Sequence, residues 1–183
     1  MRIHVDATTL IGLGTIGELE LLTTFDGELV VAPAVGDEVT TEPARTNLER
    51  FTDDADPVAP VSVDEHALED ARRILGEEAN DEDGGDVQLI AAVIAEESGG
   101  VAIVSDDRRV RTTARSLGAE VTGTIGVVVR AVEAGRSGAE GKAIVRRLDS
   151  HGLHMTGELR ETADALVDAA VERNAAERTA AEE

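Results

Sequence analysis

The chain has 183 residues and sets 38 Asp and Glu against 17 Lys and Arg, a formal net charge of −21. Hydrophobic residues make up 42% of it, mostly aliphatic, with two Phe and no Trp, Tyr or Cys; disulfides and thiolate metal sites are excluded, and an ion must be held by carboxylates, His or backbone oxygens. The length suits one domain with a real core plus a tail, and the sequence lacks both a bilayer-length apolar run and the basic-then-apolar start of a secretory signal, so a soluble, cytoplasmic protein with no membrane partner is expected. A charge this far from zero keeps a protein soluble but strains its fold by self-repulsion, which salt screens. The composition therefore suits molar salt, as in organisms that accumulate KCl. The same screening means that the negative sign does not exclude a nucleic-acid substrate, although it argues against a long basic groove.

In chain order, strand-length apolar runs recur at Ile3–Val5, Leu29–Ala32, Val58–Val63, Val101–Val104 and Glu120–Thr122. Helical spacing fills the intervals. A helix starts at Ala7; Leu19, Leu21 and Leu22 follow it; Ala34–Thr41 and Pro43–Phe51 read as short helices. Val63–Gly76 is amphipathic, with Ala67, Leu68, Ala71, Ile74 and Leu75 on one face. Val87–Glu97 is apolar nearly all round, so that helix is expected to be buried. Arg108–Leu117 ends at Gly118, a helix C-cap residue. From Gly123 the alternation stops: Ile125–Ala134, Ala139–Leu148 and a helix capped by Thr156 with apolar Leu159, Ala163, Leu166 and Ala170 follow. Strands alternating with helices predict an α/β fold, a three-layer parallel sheet of about five strands in the order 3-2-1-4-5. The expected division is a catalytic domain over 1–135 and a C-terminal helical extension over 136–183.

About one position in five is acidic, so only placement distinguishes one carboxylate from another. Asp6 follows strand one, Glu38 lies a few residues after strand two, Asp86 opens the buried helix, and Asp106 and Asp107 follow strand four. In open parallel sheets ligands bind beyond the carboxyl ends of the strands, beside the switch in winding direction. If strands one and four are neighbours, four carboxylates meet there. Like charges so close raise one another's pKa, and a hard divalent cation with oxygen ligands relieves the repulsion. Taken singly, each acid also has a plainer role: Asp86 as a helix cap, Glu38 as a solvated face, Asp107 as a surface charge.

The segments D-x-T at Asp6–Thr8, PAVGDEV with Glu38, GDVQLIAA with Asp86, and VSDDRRVR through VTGTIGVV from Val104 to Val128 resemble, in order and spacing, the PIN-domain ribonucleases. The last block and the tail LDSHGLHMTGEL from Leu148 are similar to the stand-alone, VapC-like branch. The resemblance implies a Mg²⁺- or Mn²⁺-dependent endoribonuclease on a PIN-like fold, a homodimer, serving as the toxin of a toxin–antitoxin pair with a small antitoxin protein as partner and RNA as substrate. By motif position it implies Asp6, Glu38, Asp86 and Asp106 as catalytic acids, with Asp6, Asp86 and Asp106 holding the metal and Thr8 as the adjacent hydroxyl. Asp107 replaces or supplements Asp106. Arg108, Arg109 and Arg111 are the candidate RNA phosphate contacts, or else pair with neighbouring acids.

Two other readings belong to different classes. One is a catalytically silent PIN-fold binding or regulatory module. The other is a dinucleotide binder built on GLGTIG, Gly12–Gly17, which matches G-x-G-x-x-G. That fingerprint needs its glycines directly after strand one and an acid at the end of strand two. Here the strand ends at Asp6 and strand two runs into Ala32-Pro33, so close packing of the first helix explains the glycines better. His151 and His154 are an i, i+3 pair able to take a transition metal, and Ser105 has no His at a spacing that suggests a serine triad.

Overall fold

The computed structural model describes residues 1–54, 58–59, 64–78, 83–96 and 100–181. Its elements in order are β1 (Arg2–Val5), α1 (Ala7–Thr15), a 3₁₀ turn (Leu19–Thr24), β2 (Glu28–Val30), α2 (Pro33–Glu38), α3 (Ala44–Asp54), β3 (Val58–Ala59), α4 (Glu65–Leu75), α5 (Gly85–Ala95), β4 (Val101–Val104), α6 (Arg108–Ser116), β5 (Glu120–Thr122), α7 (Thr124–Glu133), α8 (Gly138–Leu148), a π-type turn (Asp149–Leu153) and α9 (Gly157–Ala181). The strands form one parallel sheet in the order β3-β2-β1-β4-β5, the expected α/β arrangement. Four strands of three or four residues make its body, and the fifth is reduced to the two residues of β3 at one edge. Residues 60–63 of the expected third strand, most of the loop after α4 and the end of the expected helix at Glu97 lie outside the described residues. No described helix is long and apolar enough to cross a membrane.

β1 is central, with Ile3 in register with Leu29 of β2 and Ala102 of β4. Every residue of β4 is buried, as a strand covered by helices on both faces must be. On one face α4, α5 and α6 pack in series; on the other α1 meets α3 and α7, and α8 and α9 pack on α7. One aliphatic core runs through the sheet, with Phe25 and Phe51 at its margin. Leu10, Leu13, Leu89 and Ile90 are fully buried in it.

Local chemistry sets most element ends. Asp64 caps α4 by accepting from the Ala67 N–H, and Gly76 ends it in the left-handed conformation at φ 68°. Ser137 and Glu140 form a reciprocal capping box at α8. β2 stops earlier than Ala32 because Pro33 occupies the first turn of α2, and the residue before a proline is held extended. The π-type turn replaces a loop at HGLHM, with His154 at φ 34°.

Two expectations are corrected, and the placing of the glycine motif decides between two readings. Ile74, assigned to the buried face of α4, is half exposed. On α9 the packed stripe is Ala163, Val167 and Ala170, whereas Leu159 and Leu166 stand at 45% and 44% exposure, because small residues let α9 lie close to α7 and α8. The glycine motif lies within and just beyond α1, not in the turn after β1. A Cβ on Gly14 would come within 3.1 Å of the Ala44 backbone, and the Gly14 carbonyl accepts from Asn47 Nδ2 at 2.8 Å. Gly14 thus docks α3 on α1, in line with the expected packing role and against the dinucleotide-binding alternative.

His4, on the opposite face of β1 from Ile3 and Val5, is 3% exposed, and its Nδ1 has no hydrogen-bond partner among the described residues. Burial, with help from Arg2 and against Glu96, lowers its pKa to about 4, so the folded state holds it neutral. An unfolded His titrates near 6.5, and its contribution to stability is therefore full above that pH and lost as pH falls toward 4. Between about pH 7 and pH 5 the wild type should lose roughly 2 kcal/mol more than His4→Leu in urea unfolding. Equal losses in the two proteins would show that His4 is protonated in the fold.

Candidate functional site

Parallel pairing of β1 with β4 brings the C-terminal ends of both strands to one edge of the sheet. The chain leaves β1 at Val5, and the next residue, Asp6, is extended, 4% exposed, and stands at the start of α1. Its backbone N–H still donates to Val104 of β4, at 2.9 Å. Its carboxylate does not cap the helix; Oδ2 instead accepts from the hydroxyls of Thr8 and Ser105, each at 2.7 Å. Ser105, the first residue past β4, is fully buried. Its Oγ also accepts from the Asp107 N–H at 3.0 Å. One hydroxyl thus joins the acid after β1 to the acid after β4.

Asp106 and Asp107 diverge. Asp107 caps α6 by accepting from the Val110 N–H through Oδ1 at 2.9 Å. Asp106 turns to the other side: Oδ1 accepts from the Thr124 N–H at 2.9 Å and Oδ2 from the Thr124 hydroxyl at 2.5 Å. Thr124 is itself fully buried, with its hydroxyl 3.2 Å from that of Thr9 on α1. Asp106 therefore ties the first turn of α7 to β4. Gly123 lets it do so, since a Cβ there would fall 2.5 Å from Asp106 Oδ1.

Asp86 lies in the first turn of α5, two residues inside the cap position, which Gly84 occupies. Its pKa is raised to about 6, first by burial, then by the negative charges of Asp6 and Asp107, with Glu77 adding to the effect and Arg109 opposing it. Asp6, Asp86 and Asp107 thus share one electrostatic environment. Glu38, at the exposed end of α2, reaches that region by its backbone contact: Oε1 accepts from the Gly85 N–H at 2.9 Å, pinning the start of α5. Among the described residues no three His, Asp or Glu close around a common point as a complete metal-ligand set.

Of the arginines after Asp107, Arg109 is engaged by the Leu75 carbonyl and Glu77. Arg108 is exposed. Arg111 is partly buried, and its Nε has no acceptor among the described residues. His151 bonds the Arg147 carbonyl within its own turn. Ser105 and Thr124 are the site residues that sequence reasoning missed. Their signal was position, a hydroxyl at the end of a central strand and another opening a helix, but a lone Ser or Thr carries no charge pattern to draw notice.

Two consequences can be measured. By carboxyl NMR, Asp86 should titrate near 6, and Asp6→Asn should move it down toward the ordinary aspartate range, because the Asp6 charge is the largest electrostatic contribution to its shift. An unmoved Asp86 would separate the two acids. Ser105→Ala leaves the Asp107 N–H without its acceptor and should cost about 1–3 kcal/mol in chemical unfolding, with Ser105→Thr restoring most of it; equal stability of Ala and wild type would show that the bridge does not hold the two strand ends.

No curated protein matches the chain. The PIN-domain family model DUF3368 does match it over residues 2–172, from the first residue of β1 to well within α9, and an acid at the tip of each central strand sits within that span: the chain belongs to the PIN-domain family, whose members are nuclease-type domains.

Proposed function

We propose that the chain is a Mg²⁺- or Mn²⁺-dependent endoribonuclease whose ion is held by Asp6, Asp86 and Asp107. The observation that carries this reading is the coupling of Asp86 to Asp6 and Asp107, two acids already joined through Ser105. An all-oxygen donor set with excess negative charge suits a hard divalent cation. Mg²⁺ in particular keeps several waters and binds through one or two carboxylates, which fits acids that approach one another without closing a full ligand shell. Asp106 is the weaker choice, since both of its oxygens are bonded to Thr124.

When bound, such an ion supplies Lewis-acid chemistry, making water a better nucleophile near neutral pH and offsetting charge on a phosphodiester oxygen. The protein's own groups do the positioning. Thr8 and Ser105 fix one oxygen of Asp6 and leave Oδ1 without a bonded hydroxyl. Glu38 acts through Gly85 to hold the turn that presents Asp86. Asp86, whose pKa burial and its acidic neighbours raise to about 6 in the metal-free chain, gives up its proton when it takes a cation, so ion binding would strengthen as pH rises through that value. Arg108 and Arg111 are left to meet phosphates, because Arg109 is paired. Residues 136–183 act on this reading as an extension supporting the 1–135 catalytic unit: α9 buries Val167 and Ala170 against Val132 of α7. From the resemblance of Val104–Val128 and of the Leu148–Leu159 tail we infer the setting of a VapC-like toxin, dimeric and restrained by a small antitoxin, in a salt-accumulating cytoplasm.

One observation favours a second reading, a binding module without turnover: no three acids converge among the described residues. Cleavage of diverse RNAs in molar KCl, with and without Mn²⁺, decides between them. The wild type should cleave only with metal, Asp6→Asn and Asp107→Asn should fall by about 100-fold or more, as expected when a ligand carboxylate is lost, and Asp106→Asn should lose stability more than activity. Metal-independent cleavage that is equal in wild type and Asp6→Asn, the mark of a contaminating nuclease, or no cleavage in any protein, would leave the binding module.

A further inference from the structure

On the far side of Asp106 from the acid cluster lies a cleft of about 470 Å³ bounded by β5, the start of α7, the π-type turn and α9. That volume is within the ~300–1,000 Å³ of small-molecule sites. One end is polar. Arg111 reaches it from α6, its Nη1 3.7 Å from where a Cβ on Gly123 would stand, and its Nε is buried without an acceptor. The other end is an aliphatic wall of Val121, Ile125, Leu153, Leu159 and Leu166.

Arg111 is out of place in a chain with more than two acids for every base. Its neighbours in the fold find partners: Arg109 takes Glu77, Arg130 takes Asp26, Arg160 takes Asp149. Arg108 loses nothing by being exposed to water. Arg111 does lose, because a guanidinium Nε shielded from solvent with no acceptor leaves a charge-assisted hydrogen bond unmade. Asp106, the one acid lining this cleft among the described residues, makes no hydrogen bond to that Nε; its oxygens accept from Thr124. The exposed leucines of α9 are equally unexplained by the core, which α9 meets through Ala163.

We propose that this cleft is a nucleotide subsite for the RNA strand: Arg111 takes the phosphate adjoining the one at the acid cluster, and the aliphatic wall takes the neighbouring base. The inference rests on the nuclease reading for its neighbouring site. The cleft is continuous with that site through the chain, because Asp106 lines the cleft and Asp107, the next residue, donates its N–H to the Ser105 hydroxyl that bonds Asp6. A strand with a phosphate over the cluster passes its next nucleotide across Arg111. The apolar wall presents no aligned donors or acceptors of its own to base edges, so the contact selects for a single strand whose bases are unpaired and tolerates any base. Single-strand binders combine cationic contacts to the backbone with side chains that cover the base faces, usually aromatic ones; here aliphatic side chains take that place.

The test is anisotropy of labelled hexauridylate with the full chain in EDTA, where no cleavage occurs, from about 0.1 M to 1 M KCl. Arg111→Gln should weaken binding about tenfold, as loss of one charge-assisted bond predicts, and should lower the slope of log affinity against log salt by about 0.7, the value for one phosphate contact on a single strand. Leu166→Glu should weaken binding as well, with circular dichroism and Mn²⁺ binding unchanged in both variants. Wild-type affinity and slope in Arg111→Gln would overturn the subsite. So would a Leu166→Glu protein that binds hexauridylate normally but changes its oligomeric state, since the wall would then be covered by a second copy. The two readings fail separately: Arg111-dependent binding without Mn²⁺-dependent cleavage removes the nuclease and leaves the subsite, and cleavage indifferent to Arg111 does the reverse.

Discussion

Everything distinctive about this protein depends on β1 and β4 lying side by side and parallel. Each strand is only four residues long, yet their pairing puts Asp6 and Ser105 at the same level, and a hydroxyl donating to a carboxylate at 2.7 Å then closes the gap between two segments 99 residues apart in sequence. Ser105 also accepts from Asp107, so the two acids are set relative to each other by the sheet and not by flexible loops. A charge held this way costs little reorganisation when a cation arrives. It also explains why Asp86, carried by a separate helix, senses both of them.

The consecutive acids Asp106 and Asp107 divide two duties between them. Asp107 starts α6 and faces the cluster; Asp106 starts α7 and secures it to β4 through Thr124. Gly123 is required beside Asp106, because a Cβ there would fall 2.5 Å from Asp106 Oδ1. A pair of aspartates after a strand therefore builds one wall of the acid cluster and one wall of the adjoining cleft. The overall charge bears on both. Most ion pairs here are at the surface, each worth little, and the net charge of −21 repels a polyanion unless salt screens it. Local cations, above all Arg111, matter more in such a background than they would on a basic protein.

Much of the fold was legible. Ile3–Val5 and Val101–Val104 are apolar runs of strand length, Gly118 and Thr156 read as cap residues, and alternation of strands with helices implies parallel pairing and the 3-2-1-4-5 order. The candidate acids were legible as positions at strand ends. What was not legible was direction. Sequence spacing puts Asp106 and Asp107 equally after β4, and only the twist of the backbone between Ser105 and α6 sends one to Thr124 and the other toward Asp86. The same holds on α9, where Leu159 and Leu166 have the period of a buried stripe but the smaller Ala163, Val167 and Ala170 take the close contact.

By itself, then, the order of residues determined which elements form, which ends carry carboxylates, and that only oxygen and imidazole ligands are at hand, because these follow from local propensity and composition. Tertiary structure decided which carboxylates share a field, which are spent as caps, and that the glycines of α1 serve helix packing. Those outcomes depend on side chains brought together from distant segments, and on which of two competing hydrogen-bond partners, a backbone N–H or another acid's neighbourhood, each carboxylate meets once the sheet has closed.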